Sequence, residues 1–600
     1  MECFKKLQVP SSTGEPIYFH LALLEPYLNY CCQQCSWFAS EIEQTSQRPL
    51  NLILYFDEAT AGNVLAVATS KKMGLFYAAI KDLGMMIKPT SWMPIAAMPS
   101  RDLKDVDGGL GRVFGTLIQH LASQVAQPLT VFGHRCSFKI LHYIGDYESI
   151  VDLLSAMGPS SYKPCTYCQN VLGKFSDLPE KDQYFCSIHE SDPAKFEMFD
   201  SAELHSVFDR LMTEADTDTI TKEGRKKLEQ SFGFHLSRTG FLANVQARGH
   251  LNIDNIMLDS CHCYYANGVA CQEMVMYARW MEQTHSISIE AMGKMLSEVP
   301  WRCSSPKFSA PGARQFLFHA SLWKGDLYKG SATAVFYLLP VLRFYRHVLG
   351  AEGDYAEDQS FDFLLQIHSC LKKLRYAGGA TARQIDLLEN LQPLHQAAFV
   401  DCWGREQTRP KHHLRFHLPE HYRRFGYCDC FAMEAKHQIW KGFMANSLQS
   451  LWSEHSGDVG KHTLPRLLHR TILQMTENSP APTFIGRVYT REEVYARIGI
   501  KDCEVCSQYR VGSLAMQSDQ ILFFSAPGRP DAAAVIELFA RWQGHVWIVV
   551  EDTSEEKSSL RFCRTFKRLG VKLVHQLDRL QNLRLPSWWL FEDNRVVCLE

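Results

Sequence analysis

The chain has 600 residues, 46% of them hydrophobic, so it can bury several cores, and typical domain sizes predict about three or four domains. Sixty-three lysines and arginines against sixty-five aspartates and glutamates leave a net charge of -2, which excludes a uniformly basic nucleic-acid-binding chain and leaves only local basic patches. The sequence has no apolar run as long as a membrane span, and its twenty cysteines come without a secretion signal, which predicts a soluble intracellular protein with reduced thiols.

The first third of the chain alternates between strand and helix patterns. Short apolar runs that end in charged or glycine residues indicate buried strands, and apolar residues three or four apart indicate amphipathic helices. In chain order we predict strands over residues 50–56, 64–69, 74–80 and 138–144, and helices over 108–125 and 150–157. The first three strands should form a meander. Asp57 directly follows the first strand, and Asp146 follows the fourth after one glycine.

The rest of the chain has a different pattern of hydrophobic residues. Strand signals are scarce between residues 175 and 400, where helical periodicity predicts a mostly helical insertion. A helix candidate over residues 431–448 carries Glu434, and a proline-containing segment at 478–483 indicates a linker. The elements predicted beyond the linker are strands over 521–525, 546–550 and 571–575 and a helix over 532–542. This pattern indicates a small α/β C-terminal domain.

Three acids on separate predicted elements form a candidate site for two hard divalent cations. Asp57 and Asp146 follow strands, and Glu434 lies on a later helix. Carboxylate oxygens suit Mg²⁺ or Mn²⁺, and two such ions can activate a nucleophile and stabilise a leaving oxygen on a phosphodiester. Glu58 could replace Asp57 as the first ligand, although Asp57 continues the strand directly. Taken singly, an acid at such a position is more often a turn or helix-cap residue.

A second candidate site combines cysteines and histidines. Cys165 and Cys168 form a C-x-x-C knuckle, the spacing at which two thiolates reach one zinc ion. The segment Lys411-His-His-Leu-Arg-Phe-His417 offers His412 and His417 as the other two ligands, with His413 as a substitute for His412. Such a Cys2His2 site would join the start of the insertion to its end and return Glu434 to the aspartates.

These pieces, in this order, resemble the CACTA-type DNA transposases and their distant relative, the recombinase subunit of antigen-receptor gene rearrangement. The matching residues are Leu-Tyr-Phe-Asp57-Glu, Gly-Asp146 with the cysteine pair shortly after it, and Phe-Ala-Met-Glu434-Ala-Lys-His behind the histidines. Leu258-Asp-Ser-Cys-His262 also resembles the Asp-x-x-His stretch within the insertion of plant-type members.

The resemblance implies an α/β fold in which a ribonuclease H-like catalytic core is split by a long, mostly helical insertion and followed by a small α/β C-terminal domain. The implied boundaries are 1–49 for an N-terminal lead segment, 50–175 for the first part of the core, 176–405 for the insertion, 406–475 for the second part of the core and 484–600 for the C-terminal domain.

The resemblance also implies a nuclear DDE-type transposase that cleaves DNA and joins the freed 3′-hydroxyl to target DNA, working as a homo-oligomer. Asp57, Asp146 and Glu434 would bind two Mg²⁺ or Mn²⁺ ions, and the cysteines and histidines would bind structural Zn²⁺. Basic residues near Glu434 are predicted to contact DNA phosphates: Lys411, Arg415, Arg423, Arg424 and Lys436.

Alternative functions remain open at this point. Family members usually carry a DNA-reading region ahead of the core, whereas 56 residues precede Asp57, so the main alternative is a catalytically silent relative kept as a DNA-binding or assembly module. His417-Leu-Pro-Glu420-His421 matches the H-x-x-E-H pattern of zinc peptidases, but Pro419 disfavours the helix that this pattern needs. A zinc hydrolase unrelated to DNA would need an open ligand position on the metal.

Overall fold

A computed structural model describes residues 3–60, 72–83, 88–173, 184–216, 220–350, 353–376, 381–437, 440, 459–477, 483–488, 503–511, 514–526, 529–542, 545–556, 563–592 and 595–599. The chain divides into two compact units. The first comprises Met1–Cys263 and Arg405–Ser479, and the second comprises Tyr264–Gly404 and Pro480–Glu600. Residues 176–263 of the predicted insertion therefore lie in the first unit.

The described strands lie mainly in the first 150 residues and beyond residue 480. In chain order they are β1 (Phe4–Val9), β2 (Ile17–Ala22), β3 (Leu50–Thr60), β4 (Lys72–Ile80), β5 (Met93–Pro99), β6 (Leu129–Val131), β7 (His134–Cys136), β8 (Phe138–Gly145), β9 (Val171–Leu172), β10 (Cys186–Ser187), β11 (Ile256–Leu258), β12 (Arg302–Cys303), β13 (Thr483–Val488), β14 (Glu504–Val511), β15 (Leu514–Gln517), β16 (Ile521–Ala526), β17 (Arg529–Trp542), β18 (His545–Glu556), β19 (Cys563–Gln576), β20 (Gln581–Arg584), β21 (Trp588–Glu592) and β22 (Arg595–Leu599).

The described helices fill the middle of the chain and flank the first sheet. They are α1 (Leu24–Gln34), α2 (Ser36–Thr45), α3 (Ser100–Asp105), α4 (Gly109–Val125), α5 (Tyr147–Leu154), α6 (Ser201–Ala215), α7 (Lys222–Phe232), α8 (Val245–His250), α9 (Val269–His285), α10 (Ile289–Glu298), α11 (Pro311–Phe316), α12 (Ala332–Leu349), α13 (Ala356–Tyr376), α14 (Ala382–Trp403), α15 (Pro410–Leu414), α16 (Leu418–Phe425), α17 (residues 431–437) and α18 (Val459–Glu477). Within the described part of the chain, none of these helices combines the length and the apolar character that crossing a membrane requires.

The first unit is built on a mixed sheet of seven described strands in the order β1-β2-β5-β4-β3-β8-β11. The strands β3, β4 and β5 form an antiparallel meander, whereas β8 runs parallel to β3, and β11 runs parallel to β8. Helices cover both faces of this sheet. Neighbouring side chains of β4 point to opposite faces, and each contacts a different helix. Phe76 stacks on Phe114 of α4, and Tyr77 packs against His437 of α17.

The predicted meander is present but is formed by other strands. The strand predicted over 74–80 is β4, while the one predicted over 64–69 falls outside the described residues. The third member is β5, which the sequence patterns missed because its prolines, Pro94 and Pro99, are unusual in a sheet interior.

The first strand is longer than predicted, so Asp57 lies within β3 and pairs with Leu75 of β4. The parallel register of β3 and β8 sets Tyr55 opposite Ile144. Asp57 and Asp146 each stand two residues beyond this pair, Asp146 just after the end of β8, so the register sets both acids near the same end of these two strands. Paired strands lie about 4.8 Å apart, so the two backbones are adjacent at this point.

The second unit contains the helices α9 to α14 and an antiparallel sheet of eleven described strands, β12 to β22. The helical middle of the chain is therefore confirmed. The helix predicted over 532–542 is wrong, because this segment is the strand β17. Alternate residues of β17 enter different apolar clusters, with Ala534 and Ile536 in one and Ala533 and Val535 in another. With both faces apolar, the period of two is invisible in the sequence.

His142 of β8 makes the stability of the first unit depend on pH. Its ring is fully buried, and neither ring nitrogen has a hydrogen-bond partner among the described residues. Burial, assisted by the nearby Lys81, lowers the pKa of His142 to about 3. Below pH 6.5 the unfolded chain binds a proton that the folded chain excludes, so stability falls as the pH drops from 6.5 towards 3.

We expect His142→Phe to remove this pH dependence, since phenylalanine fills the same space against Phe425, whose ring centroid lies 4.7 Å from that of His142. Between pH 7 and pH 5, the free energy of unfolding of the variant should rise by about 2 kcal/mol relative to that of the wild type. This is the value expected because pH 5 lies roughly 1.5 units below the pKa of histidine in the unfolded chain. Urea unfolding of both proteins at the two pH values measures this difference. An equal difference at pH 7 and pH 5 would mean that His142 accepts a proton in the folded state.

Candidate metal centres

Four buried side chains of the first unit form a compact Cys2His2 group. Cys165 and Cys168 lie in the loop that follows α5, while His413 belongs to α15 and His417 ends the short turn Arg415–His417. One ligand atom from each residue lies within 4.8 Å of all the others, and each residue is at most 4% exposed. The group therefore joins two chain segments that lie on either side of residues 264–404.

The geometry of the group fits a tetrahedral metal ion. Nε2 of His417 lies 3.3 Å from Sγ of Cys165 and 3.6 Å from Sγ of Cys168. Bond lengths of about 2.3 Å to sulfur and 2.0 Å to nitrogen place the two ligand atoms roughly 3.5 Å apart around a tetrahedral zinc. Both ring nitrogens of His413 are buried, and neither has a hydrogen-bond partner of ordinary geometry in the described structure. The group could hold a metal ion such as zinc.

The first choice of histidine was wrong, because His413, not His412, completes the group. Nδ1 of His412 instead accepts a hydrogen bond of 3.1 Å from the backbone N–H of Arg409, at the start of α15. His413 and His417 are four residues apart and so share one face of a helical path, whereas His412 does not. The i, i+4 spacing was the signal that would have identified His413.

The surroundings of the group favour a thiolate at Cys165. Burial opposes ionisation, but a hydrogen bond from Cys168 and the nearby His413 and His417 hold the pKa of Cys165 well below its usual value. The backbone N–H of Tyr167 also points to this sulfur at 3.4 Å. Thiolates are the metal-binding form of cysteine, so the environment is prepared for a cation.

Asp57 has partners on its own strand and on α17. Its Oδ2 accepts from the Tyr55 hydroxyl at 3.0 Å and faces Nδ1 of His437 at 3.0 Å, and its Oδ1 accepts from the Glu58 N–H at 2.6 Å. Burial would raise the pKa of Asp57, but His437 and then His262 lower it below its usual value. Asp57 is therefore a carboxylate.

Glu58, the alternative first ligand, points to the other face of β3, because side chains alternate along a strand. It pairs instead with Lys72 of β4 at 3.5 Å. Asp57 is therefore the acid of β3 that faces α17.

Asp146 is the N-cap of α5, and its Oδ1 accepts from the Ser149 N–H at 2.7 Å. The capping role that such an acid often has is thus real here. It occupies one oxygen of the carboxylate and fixes the side chain at the end of β8.

Glu434 lies in the first turn of α17 and meets a histidine from the segment that follows β11. Its Oε1 is 3.3 Å from Nε2 of His262, and the other ring nitrogen of His262 lies 2.5 Å from Oδ2 of Asp259. Burial would lower the pKa of His262, but Asp259, Glu434 and Asp146 raise it well above its usual value. His262 is therefore an imidazolium held between carboxylates.

The three acids influence a common neighbour, the Tyr55 hydroxyl. Burial raises the pKa of Tyr55 well above its usual value, and the charges of Asp57, Asp146 and Glu434 raise it further. Their oxygens are nevertheless not among the described groups whose ligand atoms all lie within 4.8 Å of one another. The side chains of Asp57 and Glu434 are 27% and 39% exposed, so solvent reaches this acidic site.

Two of the predicted phosphate contacts are wrong, because Arg415 and Lys436 are both 0% exposed. Nε of Arg415 donates to the backbone carbonyl of His412. Nζ of Lys436 donates to the carbonyls of Pro89 and Trp92, and burial lowers the pKa of Lys436 to about 7.

The other three predicted contacts keep access to solvent. Arg423 and Arg424 are exposed on α16, and Lys411 is half-buried on α15. Arg424 lies 3.9 Å from both Asp254 and Glu420, distances at which an exposed ion pair contributes little.

The H-x-x-E-H motif does not converge on one centre. His417 belongs to the Cys2His2 group, whereas Nδ1 of His421 accepts a hydrogen bond of 3.3 Å from the backbone N–H of Leu258 in β11. Glu420 is exposed beside Arg424. The peptidase arrangement of two histidines and a glutamate around one metal is therefore not formed.

His437, His262 and Asp259 appeared in the sequence analysis only within motifs of the resemblance, and none of them was given a role. His437 follows Glu434 by three residues, which places both on one helical face, and this spacing could have identified it.

No protein-family model and no curated protein matches the chain. The site geometry is therefore the basis for assigning a function.

Proposed function

We propose that the chain is a DDE-type DNA transposase, or a protein derived from one, in which Asp57, Asp146 and Glu434 bind divalent metal ions. The observation that carries this proposal is that His262 interacts with all three acids: its Nε2 lies 3.3 Å from Glu434, it lowers the pKa of Asp57, and Asp146 raises the pKa of His262 itself. Carboxylate oxygens open to solvent suit Mg²⁺ or Mn²⁺, whereas the buried sulfurs and imidazoles of the other centre suit zinc.

The order of the sheet supports a ribonuclease H-like core. A meander of three antiparallel strands, β3, β4 and β5, lies beside two strands, β8 and β11, that run parallel to β3. This is the order that we expect of such a core, with one acid on the central strand and a second just after its parallel neighbour.

The contribution of the chain to the chemistry is the placement of the acids. Tyr55 and the Glu58 N–H orient Asp57, the Ser149 N–H orients Asp146, and His262 orients Glu434. Two bound Mg²⁺ or Mn²⁺ ions would supply a nucleophile of lowered pKa and neutralise charge on the leaving oxygen.

The Cys2His2 group would hold structural zinc. Four protein ligands fill a tetrahedral ion, and a hydrolytic zinc needs an open position, so this group favours support of the fold over catalysis. It connects the loop of Cys165 to the segment that leads into α17 and so helps to hold Glu434 opposite Asp57.

DNA is the proposed substrate, and the exposed Arg423 and Arg424 on α16, with Lys411, are the proposed phosphate contacts. Contacts of this kind set affinity and salt dependence more than sequence preference. A nuclear location and a homo-oligomeric assembly belong to the same proposal and rest on the resemblance to CACTA-type transposases.

The test is nicking of supercoiled plasmid DNA with Mg²⁺ or Mn²⁺ by the wild type and by Asp146→Asn. We expect the wild type to nick and the variant to lose at least about 100-fold in rate while still retaining DNA on a filter. Asp152→Asn is the matched control, since Asp152 is an exposed acid on the same helix.

Two outcomes would contradict the proposal. DNA retention without metal-dependent nicking by the wild type would favour the silent DNA-binding or assembly module. Equal nicking by the wild type and Asp146→Asn would place the activity elsewhere or in a contaminant.

A further inference from the structure

Asp259 is a buried carboxylate that the proposed chemistry does not use. It follows β11 directly and is 1% exposed. A buried carboxylate is costly unless its oxygens are paired or hydrogen-bonded, so its partners indicate what it does.

Four donors surround the two oxygens of Asp259. Oδ1 accepts from the backbone N–H groups of Cys261 and Cys430, both at 2.8 Å. Oδ2 accepts from the backbone N–H of His262 at 2.9 Å and faces its Nδ1 at 2.5 Å. The donors come from two distant chain segments, one after β11 and one immediately before α17.

Both segments lead to Glu434. The backbone N–H of Glu434 donates to the Cys430 carbonyl at 2.9 Å, so anchoring Cys430 fixes the first turn of the helix that carries this acid. The imidazole of His262 spans from Asp259 to the Glu434 carboxylate, 3.3 Å from Nε2. Asp259 thus fixes the backbone of Glu434 through one contact and its side chain through another.

A role for Asp259 as a metal ligand is disfavoured. Its oxygen, the Cys261 sulfur and a His262 nitrogen do lie within 4.8 Å of one another. However, a carboxylate that already accepts from four donors would have to give up hydrogen bonds to bind a cation. The arrangement suits an anionic anchor for other groups.

We propose that Asp259 is the positioning residue that sets Glu434 opposite Asp57 and Asp146, acting through His262 and the Cys430 N–H. This inference rests on the proposed function, because it takes Glu434 as a ligand of Mg²⁺ or Mn²⁺. Residues that hold metal ligands in place typically contribute 10- to 100-fold in metal affinity.

The experiment compares Mn²⁺ binding by the zinc-loaded wild type, Glu434→Gln, Asp259→Asn and Asp429→Asn, measured by electron paramagnetic resonance of free Mn²⁺. An asparagine at 259 replaces one accepting oxygen with an NH₂ group, so either His262 or the Cys430 N–H loses its partner. We expect Asp259→Asn to raise the Kd for Mn²⁺ by about 10- to 100-fold with zinc content unchanged.

Asp429→Asn is the matched control for a general effect on the helix. Asp429 is also buried, and its Oδ1 accepts from the Phe431 N–H at 3.0 Å in the same first turn. Asparagine keeps a capping oxygen, so we expect a Kd within about threefold of the wild type. Equal weakening in Asp429→Asn and Asp259→Asn would overturn the positioning role and indicate a common effect on α17.

The two proposals fail in different ways. In one outcome, the wild type binds Mn²⁺, Glu434→Gln does not bind it, and Asp259→Asn binds it as tightly as the wild type. The positioning role is then wrong, and the proposed function stands. If Glu434→Gln binds Mn²⁺ as the wild type does, both are wrong. If Asp259→Asn loses its zinc or its fold, His262→Gln serves as the second test, because it leaves the backbone N–H groups that donate to Asp259 in place. An unchanged Kd for Mn²⁺ in His262→Gln overturns the positioning role.

Discussion

His413→Ala is expected to release zinc and to unfold the part of the first unit that the Cys2His2 group joins. His413 is 1% exposed, and its ligand atom lies within 4.8 Å of those of Cys165, Cys168 and His417. A structural zinc ion contributes about 10–16 kcal/mol in small zinc domains, so its loss should cost several kcal/mol even in a larger unit. Zinc content by mass spectrometry and thermal unfolding measure the two effects.

His412→Ala is the matched control, because the neighbouring ring is also fully buried but lies outside the group. Its removal leaves a cavity of similar size and should cost about 2–4 kcal/mol, yet one zinc ion should remain bound. Full zinc content in His413→Ala, or loss of zinc only in His412→Ala, would return the ligand role to His412.

Lys436→Ala is expected to lower the free energy of unfolding by about 2–5 kcal/mol, because it removes a large, fully buried side chain. Nζ lies 3.0 Å from the carbonyl of Pro89, and the side chain packs over the rings of Tyr77 and Trp440. Lys436→Met should lose less, since it fills the space and gives up only the hydrogen bonds. Denaturant unfolding at pH 7 measures both variants.

The exposed Arg424 provides the contrast. If the chain binds DNA as proposed, Arg424→Ala should reduce the slope of log affinity against log salt by about one, with stability within about 0.5 kcal/mol of the wild type. Lys436→Ala should leave the slope unchanged. A smaller slope in Lys436→Ala with unchanged stability would mean that Lys436 reaches phosphate.

Sequence patterns predicted best where local chemistry decides the structure. The end of β8 just before Asp146 was predicted because a buried strand that gives way to glycine and a charged residue is visible in the sequence, and α4 was predicted almost residue for residue, whereas β3 continues past Asp57. The C-x-x-C knuckle was equally visible. Each of these features depends on residues close together in the chain.

Patterns failed where tertiary packing overrides local preference. The alanine-rich β17 has a composition that favours a helix, but it is buried on both faces of a sheet, which no local pattern reports. Burial of Lys436 and Arg415 could not be read either, since a basic side chain looks the same in the sequence whether it meets carbonyl groups or solvent. The pairs Asp57–His437 and Glu434–His262 join residues far apart in sequence, so only the fold brings them together.

The Cys2His2 group can be completed only late in the synthesis of the chain. Cys168 and His417 are 249 residues apart, and a ribosome that adds about 5–20 residues per second needs roughly 12–50 s to make the intervening chain. During that interval the nascent first sheet has its two thiols but neither imidazole, and Glu434 has not yet emerged. The metal ion can therefore bind all four ligands only late in translation. In a protein made under zinc starvation or truncated before His413, the two thiols should stay accessible to oxidants and to chaperones.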